Sequence, residues 1–258
     1  MGLKIIVCIK SVIVNPANQS VVRTSDSCEL NPFDRPALEQ ALRMKEALGG
    51  TVTALSMGPE SSAFTLHEAM AMGVERGVLV SDPALVGSDT LATSTVLAVA
   101  LKRLEPFDLA FFGTRSADSD TGHVGPQTAV LLDLPMVTWA HSIESSETGL
   151  LVERRIDGFL ERYELPFPSM LTFHPNSVEP RDLGLSGIKG AFEEGEIQRW
   201  GLSDLDLSPS VVGEKGSPTR VLSLSRAHST KKCEFLDGTA EEQVEELLRR
   251  LLDSGLIG

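Results

Sequence analysis

A segment rich in glycine and hydroxyl side chains, GTRSADSDTGHVGPQT at residues 113–128, holds the residue types best suited to binding phosphate. It follows the apolar run Phe107–Phe112, which is typical of a buried strand, and it leads into a helical pattern. Where a strand ends and a helix begins, unpaired backbone N–H groups and the helix dipole both favour an anion. The segment therefore predicts a pyrophosphate-binding turn, whereas an ordinary connection capped by Asp118 or Asp120 is the alternative. Close backbone approach or hydroxyl hydrogen bonds are available from Gly113, Ser116, Ser119, Thr121, Gly122 and Gly125.

A second hydroxyl-rich helix start, GSDTLATS at residues 87–94, follows another predicted strand. Asp89 by itself is an ordinary candidate for the N-cap of that helix. Two such starts after neighbouring strands favour a nucleotide, because both would lie at the same edge of a parallel sheet. The chain has no GxxxxGK[ST] motif, and the first segment is not GxGxxG, so spacing alone does not identify the nucleotide.

Strand and helix patterns alternate along the first half of the chain. They predict an α/β fold built on a Rossmann-like, doubly wound and mostly parallel sheet with right-handed crossovers. Ligands of such sheets bind beyond the carboxyl ends of the strands, here in the loops after Ile9, Met57, Ser81 and Phe112. The predicted strands are Lys4–Ile9, Thr51–Met57, Gly77–Ser81 and Phe107–Phe112, and the predicted helices cover residues 38–48, 63–72, 90–104 and 124–132.

The pattern changes after about Leu134. Alternating or apolar runs at Met136–Glu144, Leu150–Ile156 and Tyr163–Phe173 predict antiparallel hairpin strands added to the same sheet. Beyond Pro175 the chain is polar and rich in glycine and proline, which predicts irregular structure. An amphipathic helix returns at residues 240–252, with Val244, Leu247, Leu248 and Leu251 on one face.

These changes predict two parts, a nucleotide-binding α/β domain at residues 1–190 and an extended carboxyl-terminal arm at residues 191–258. The loop before the last helix is long and offers little core of its own. We therefore expect the arm and its helix to dock on another subunit, and folding of the helix onto its own domain is the alternative.

Composition excludes several classes of partner and site. A net charge of −13 over 258 residues disfavours nucleic acid and anionic membranes, because both repel an acidic surface. No apolar run is long enough for membrane insertion, and the amino terminus is too short and strand-like for a signal peptide. Cys8, Cys28 and Cys233 are widely spaced without a CxxC pair, which excludes iron–sulfur and structural zinc sites. Reduced thiols and a cytoplasmic location fit best.

No catalytic set is recognisable in the sequence. The serines of residues 113–128 lack a GxSxG context, and no HExxH or paired-carboxylate motif occurs. Of the five histidines only His123 falls in the candidate site, where it could hydrogen-bond a cofactor or be an ordinary loop residue. The residues therefore indicate a protein that holds a nucleotide cofactor, with no catalytic residue and no metal ligand.

Seven segments follow one another in order along nearly the whole chain: KIIVCIKSV, NPFDRPALEQALRMKE, ALSMGP, AMAMGVERGVLVSD, DLAFFGTRSADSDTGHVGPQTA, VERRIDG and VEPRDLGL. This ordered set resembles the beta subunit of electron transfer flavoprotein. The resemblance agrees with the predicted fold and arm.

The resemblance implies a subunit of an alpha–beta heterodimer. In that family the alpha subunit carries the electron-shuttling FAD, and the beta subunit holds a second adenine nucleotide in its own crevice. This nucleotide is a structural AMP in the common carriers. In the electron-bifurcating branch it is FAD, which NADH reduces and which sends one electron to a low-potential acceptor such as ferredoxin and one to the alpha flavin.

Residues of this chain match the family's nucleotide-binding positions. The resemblance also implies that Phe33 approaches the flavin of the alpha subunit. The matching positions are Cys8, Asn31, Pro32, Phe33, Asp34, Met57, Gly58, Gly113, Arg115, Ser116, Asp118, Asp120, Thr121, Gly122, His123 and Val124.

The chain resembles the bifurcating branch in two segments, VSDPALVGSDTLATS and DSDTGHVGP, which are similar to the motifs around the extra ribityl and isoalloxazine of FAD. Two departures stand out, because the family usually has glutamine at the place of His123 and a QA-type dipeptide at Arg115 and Ser116. Arg115 could stabilise a reduced anionic flavin or simply bind phosphate. The additional FAD positions matched in the first segment are Asp89, Thr90, Ala92 and Thr93.

The segment VEPRDLGLSGIKGAFEEGEI corresponds to the family's recognition loop, in which a leucine at the place of Leu185 anchors on an acyl-CoA dehydrogenase. Basic residues that commonly follow are replaced here by Glu193, Glu194 and Glu196. A dedicated dehydrogenase partner is the natural expectation, since charge at the rim of an interface selects partners.

Three interpretations remain open from the sequence. The chain is an FAD-bearing subunit of the bifurcating kind, or the same subunit with AMP and no redox role. The third is a member of the wider adenine-nucleotide-binding α/β class, which would not explain the recognition loop or the arm.

Overall fold

The computed structural model of the chain describes residues 2–13, 28–146, 148–223 and 233–257. The chain divides into two compact units, Met1–Arg220 and Val221–Gly258. The strands are β1 (Leu3–Ile9), β2 (Ser11–Val12), β3 (Glu29–Leu30), β4 (Gly50–Met57), β5 (Arg76–Val80), β6 (Leu109–Gly113), β7 (Met136–Ser145), β8 (Gly149–Ile156), β9 (Phe159–Pro166), β10 (Ser169–Phe173) and β11 (Ile197–Trp200). The helices are α1 (Arg35–Leu48), α2 (Ala63–Met72), α3 (Thr90–Arg103), α4 (Val124–Leu132), α5 (Leu185–Glu193), α6 (Gly213–Gly216) and α7 (Ala240–Asp253), with short 3-10 helices at Glu60–Ser62, Pro83–Leu85 and Leu202–Leu205.

Nine strands of the first unit form one sheet in the order β11-β5-β4-β1-β6-β10-β7-β8-β9. Neighbours from β11 to β7 run parallel, whereas β7, β8 and β9 pair antiparallel. The small strands β2 and β3 form a separate antiparallel pair. The predicted α/β fold, a mostly parallel sheet with added antiparallel strands, is confirmed.

Helices cover both faces of the sheet, as the alternation of side chains along β1 shows. Ile5 and Val7 point into a core shared with α1 and α2, while Ile6 and Cys8 point into a core shared with α3 and α4. Both faces of a parallel strand are therefore buried, which explains why β1 is apolar along its whole length. The strands predicted before residue 113 and the helices predicted before residue 133 are confirmed, with ends that differ by a few residues.

The run Tyr163–Phe173 is not one strand, as the sequence predicts, but the end of β9 and all of β10. Strand β9 ends at Pro166 and Pro168 directly precedes β10, and proline lacks the N–H that a continuous ladder needs. Strand β10 inserts between β6 and β7 and is parallel to both.

Strand β7 is irregular where it changes partners. Its register shifts against β10 and again against β8, and Trp139 between them has a φ of +60°. The Trp139 N–H donates to the Thr172 hydroxyl at 2.9 Å instead of to a ladder carbonyl. A bulge of this kind bends a strand, so β7 pairs parallel with β10 at its start and antiparallel with β8 at its end.

The prediction of irregular structure beyond Pro175 is wrong for part of that segment. Helix α5 packs on α2 through Phe192, whose ring centroid lies 5.3 Å from that of Phe64. Strand β11 adds a parallel edge to β5 and buries Trp200. Both elements are short, and their apolar residues are too few to give a clear period. The first unit thus extends through residue 220, beyond the boundary at residue 190 that the sequence predicts.

The second unit holds α7, which confirms the helix predicted at residues 240–252. Thr239 and Glu242 form a capping box, with the Thr239 hydroxyl accepting from the Glu242 N–H and the Glu242 carboxylate accepting from the Thr239 N–H. Its apolar residues Val244, Leu247, Leu248 and Leu252 are exposed. Across the described ranges, no helix combines the length and apolarity that crossing a bilayer requires.

Candidate functional site

The candidate site lies at the carboxyl ends of β1 and β6, where the winding of the sheet reverses. After β1 the chain forms β4 and then β5 on one side, and it returns with β6 on the other side of β1. Loops that leave neighbouring strands in opposite directions open a crevice between them, which is where doubly wound sheets bind ligands. Two parts of the chain border this crevice: residues 10 and 31–34, and the loop at residues 113–124, named here the 113–124 loop.

The Asp34 carboxylate connects these two parts of the chain through hydrogen bonds. Its carboxylate accepts from the Lys10 N–H at 2.7 Å, from the Asn31 side-chain amide at 2.9 Å and from the Gly113 N–H. Gly113 has to be glycine, because a Cβ there would lie 2.2 Å from the Asp34 carboxylate and 2.6 Å from the Phe33 carbonyl. The close approach of the two loops is therefore built around one buried acid.

Burial controls the ionisation of the groups beneath the crevice. Burial raises the pKa of Asp34 to about 7, although its hydrogen bonds and the nearby Lys10 charge act in the opposite direction. Burial, followed by the negative charge of Asp34, also raises the pKa of the Cys8 thiol well above its usual value. Cys8 is thus a protonated, buried side chain below the site.

Asn31 holds the 113–124 loop in place above Asp34. Its side-chain N–H₂ group donates to the Arg115 carbonyl at 2.9 Å as well as to Asp34, and its side-chain carbonyl accepts from the Ala117 N–H at 3.1 Å. A buried amide with both ends paired holds its neighbours in one arrangement. Asn31 is therefore a structural link in the candidate site, and Pro32 beside it is exposed.

Two ion pairs lie on the outer side of the 113–124 loop. The Lys10 ammonium is 2.7 Å from the Asp118 carboxylate and 3.4 Å from the Ser116 hydroxyl. The Arg115 guanidinium is 3.1 Å from Asp120 and lies over the Phe33 ring, 4.5 Å from its centroid. Two positive charges thus border the crevice, each held by an acid of the same loop.

The start of α4 has the form of an anion site. Asp120 and Gly122 have positive φ angles of 54° and 64°, so the backbone reverses twice just before the helix. Turns of this kind direct successive N–H groups to one side. His123 occupies the N-cap position, and in the part of the chain that the structure describes its side chain makes no capping hydrogen bond. These features fit a phosphate group.

The start of α3 is closed by protein groups instead. The Asp89 carboxylate caps the helix by accepting from the Ala92 N–H at 2.9 Å, and it also accepts from the Thr219 N–H at 3.0 Å. The Asp89 N–H in turn donates to the Ser217 hydroxyl at 2.8 Å. Burial raises the pKa of Asp89, but these hydrogen bonds outweigh it and the net pKa is lowered. Ala92 is buried, whereas Thr90 and Thr93 are partly exposed.

The two helix starts lie side by side. The buried Ser94 hydroxyl, one turn into α3, lies 3.2 Å from the Val124 carbonyl in the first turn of α4 and 3.1 Å from the Gln127 side chain. The structure therefore brings the two segments at residues 87–94 and 113–124 together. The prediction that they follow neighbouring strands is wrong, because β4 and β1 lie between β5 and β6.

The remaining predicted residues lie at the rim or elsewhere. Met57 ends β4 and Gly58 follows it, and both are partly buried. The Gly58 N–H donates to the Val80 carbonyl. Thr121 is exposed on the 113–124 loop. Leu185 begins α5 on the face that carries α1 and α2, and it is 86% exposed.

Sequence reasoning missed three contributors to this region. Lys10 is the first charged residue after the apolar run of β1, and that position is the signal that could have identified it. Ser217 and Thr219 reach the start of α3 from a segment that the sequence predicts to be part of the arm. Their separation from Asp89 by about 130 residues leaves no local signal.

Comparison with known proteins gives the family. The electron transfer flavoprotein domain matches residues 19–205. The chain is 35% identical over 240 residues to the electron transfer flavoprotein subunit beta of Thermoanaerobacterium thermosaccharolyticum, covering 93% of this chain and 92% of that protein. It is 33% identical over 263 residues to the caffeyl-CoA reductase-Etf complex subunit CarD of Acetobacterium woodii, covering 99% and 100%. It is 34% identical over 268 residues to the acryloyl-CoA reductase electron transfer subunit gamma of Anaerotignum propionicum, again covering 99% and 100%. The chain therefore belongs to the electron transfer flavoprotein family, among its beta subunits.

Proposed function

We propose that this chain is the FAD-binding beta subunit of a heterodimeric electron transfer flavoprotein. With its alpha subunit it passes electrons between NADH and an acyl-CoA dehydrogenase by flavin-based electron bifurcation, with a low-potential acceptor such as ferredoxin receiving the second electron. The observation that carries the proposal is the pairing of two helix starts through Ser94 beside the crevice. Two adjacent helix starts offer more binding groups than a single phosphate group needs.

FAD would use the two starts differently. The 113–124 loop and the start of α4 would hold the pyrophosphate, because their backbone N–H groups favour an anion. The partly exposed hydroxyls of Thr90 and Thr93 at the start of α3 would contact the ribityl chain. Asp89 would position this start, since its carboxylate already accepts two backbone N–H groups.

The names of two relatives support a partner that acts on CoA thioesters. One is a subunit of a caffeyl-CoA reductase complex and the other an electron transfer subunit of an acryloyl-CoA reductase. Both are similar to this chain over nearly their whole length. A dehydrogenase or reductase of an acyl-CoA is therefore the class of partner that we propose.

Leu185 is the proposed contact with that partner. It is a large apolar side chain that is almost fully exposed, and the segment before it is anchored. Arg181 pairs with the buried Glu39 at 2.8 Å and with Glu46 at 2.6 Å, both on α1. A rigidly presented apolar anchor loses little entropy on binding. Full electron transfer to an unrelated acyl-CoA dehydrogenase would contradict a dedicated partner.

The carboxyl-terminal arm is proposed to dock on the alpha subunit. Its helix α7 has no buried residue and exposes an apolar stripe that includes Val244, Leu248 and Leu252. An amphipathic helix of this kind gains stability by laying that stripe in a groove. A cytoplasmic location is part of the same proposal, because Cys8 and Cys233 are free thiols.

A structural AMP is the second candidate, and one observation favours it. Both oxygens of Asp89 are already engaged by Ala92 and Thr219, and Ser217 binds its N–H. A helix start satisfied in this way does not require a ligand. AMP could then occupy the crevice and the start of α4 alone.

Counting nucleotides separates the two candidates. The chain is co-produced with its alpha subunit, the heterodimer is purified and denatured, and the released FAD and AMP are quantified by chromatography. Two FAD per heterodimer is the expected result, and one FAD with one AMP would overturn the FAD assignment. Addition of NADH under anaerobic conditions should then bleach the flavin absorbance, and an unchanged spectrum would contradict the proposed electron donor.

A further inference from the structure

Lys10 occupies a position from which it can reach a ligand without moving its backbone. Its N–H donates to the Asp34 carboxylate at 2.7 Å and its carbonyl accepts from the Asn31 N–H at 2.9 Å. Both partners are buried, so the Cα is fixed at the carboxyl end of the central strand β1. The side chain, by contrast, is 34% exposed and reaches Asp118 on the 113–124 loop. Only its rotamers need to change when a ligand arrives.

The ion pair that holds the Lys10 ammonium is weak enough to exchange. Its partner Asp118 is on the 113–124 loop, 2.7 Å away, and the Ser116 hydroxyl lies 3.4 Å from the same ammonium. An ion pair that reaches solvent contributes only about 0 to 1 kcal/mol. The terminal phosphate of AMP carries more charge than a carboxylate, the pyrophosphate of FAD carries two charges, and both offer several strong acceptor oxygens. Exchange of Asp118 for phosphate is therefore favourable.

The second cation of the crevice is less available. Arg115 combines its ion pair to Asp120 with a stacking contact on the Phe33 ring, 4.5 Å from its centroid. Moving it to a ligand would lose an ion pair and a contact with an aromatic ring, whereas moving Lys10 would lose an ion pair and only a long, 3.4 Å contact with the Ser116 hydroxyl.

We propose, resting on the proposed nucleotide-binding function, that Lys10 is the cation that recognises the nucleotide phosphate and that Asp118 holds its ammonium until phosphate displaces it. The start of α4 and the Lys10 ammonium then bind the phosphate from two sides. Asp118 acts as a competing anion, which lowers the affinity for free phosphate-bearing ligands in general.

The test compares AMP with adenosine, which lacks the phosphate. The full chain is freed of bound nucleotide, and dissociation constants for both ligands are measured by isothermal titration calorimetry. For the unchanged chain we expect AMP to bind more tightly than adenosine. In Lys10→Gln the ratio of the affinity for AMP to the affinity for adenosine, which is the phosphate-dependent gain, should fall by about tenfold. This is the effect expected for the loss of one charge-assisted hydrogen bond. Adenosine should bind as before, which also shows that the variant is folded.

Three further variants make the result specific. Lys10→Arg keeps the charge and should retain part of the gain. Lys45→Gln is the matched control, because Lys45 also forms an ion pair at 2.7 Å, with Glu75, but lies at the carboxyl end of α1. It should leave both affinities unchanged. Asp118→Asn removes the competing carboxylate and should increase the affinity for AMP relative to adenosine.

The outcomes separate the proposed role of Lys10 from the proposed nucleotide-binding function. A Lys10→Gln chain that keeps the whole phosphate-dependent gain would overturn the role of Lys10 while leaving nucleotide binding intact. If Lys10→Gln does not fold, an Asp118→Asn chain without any gain for AMP would overturn it instead. An unchanged chain that binds neither AMP nor adenosine would contradict the proposed function itself.

Discussion

The two helix starts beside the crevice have similar residue types but opposite surroundings. At the start of α3, Asp89 accepts from Ala92 and Thr219, so the first turn is closed by the protein's own groups. At the start of α4 the backbone turns twice, and the His123 side chain gives no cap in the described structure. A hydroxyl-rich helix start therefore indicates a place for an anion only where the protein has not already satisfied it. The start of α3 is therefore closed to an anion and leaves only the hydroxyls of Thr90 and Thr93 for a neutral part of a ligand, whereas the start of α4 is open to a phosphate.

The support beneath each start differs as well. The start of α4 rests on the buried Asp34 and on Asn31, which connect the 113–124 loop to the end of β1. The start of α3 is supported by Ser217 and Thr219, which bind the Asp89 N–H and carboxylate. Substitutions beneath the start of α4 should therefore cost more than substitutions at the start of α3.

The largest effect is expected for Gly113→Ala. The new Cβ would lie 2.2 Å from the Asp34 carboxylate and 2.6 Å from the Phe33 carbonyl, and neither belongs to a flexible side chain. We expect the free energy of unfolding to fall by about 4 kcal/mol or more, as measured by urea denaturation. Gly190→Ala on α5 is the control, because its Cβ would meet no atom within 4 Å and alanine favours a helix. Equal stability of the two variants would contradict the close packing around Gly113.

The next effect is a pH dependence that originates at Asp34. Its pKa is raised to about 7 in the folded protein, so the folded state holds this proton more tightly than the unfolded chain does. The resulting stability is fully present below the unfolded pKa near 4 and is lost as the pH rises through 7. The stability difference between the unchanged chain and Asp34→Asn should therefore shrink by about 3 kcal/mol from pH 4.5 to pH 8. Urea denaturation at both pH values measures it, and a constant difference would show that Asp34 is ionised throughout.

The sequence predicts the parts of this comparison that depend on local patterns. Apolar runs such as that of β1 predict the strands, because both faces of a parallel strand are buried. Glycine and hydroxyl residues between Gly113 and Gly122 predict the turn before α4, where Gly122 adopts a positive φ that glycine favours. The position of both starts at one edge follows from the order of strands and helices.

The rest depends on contacts between distant parts of the chain. Ser217 meets Asp89, and Lys10 meets Asp118 across more than a hundred residues, so no local period or motif records either pair. The insertion of β10 between β6 and β7 is equally non-local. The residue types therefore predict two equivalent helix starts. Only the contacts of the folded chain show that the start of α3 is closed by protein groups and that the start of α4 is open.

A paired substitution at the two N-cap positions measures the difference between the starts directly. Asp89→Ala removes a cap that accepts two backbone N–H groups, so we expect a loss of about 1 to 2 kcal/mol in the free energy of unfolding. His123→Ala removes a side chain that makes no capping hydrogen bond in the described structure, and it should stay within about 0.5 kcal/mol. Thermal and urea denaturation of both variants are the measurements. Similar losses for both would mean that the start of α4 is capped in solution.

The smallest effect on stability is expected for Arg115→Gln. The Arg115 side chain is 41% exposed, and its ion pair with Asp120 and its contact with the Phe33 ring are both open to solvent. Such contacts each contribute about 1 kcal/mol or less, so urea denaturation should detect a small change. The Arg115→Gln variant is informative mainly when ligand binding is measured. Because Arg115 would have to abandon two contacts to reach a phosphate, the variant should keep the tighter binding of AMP over adenosine that Lys10→Gln loses. If Arg115→Gln instead loses the tighter binding of AMP over adenosine, the Arg115 guanidinium beside Phe33, and not Lys10, is the cation that binds phosphate at the start of α4.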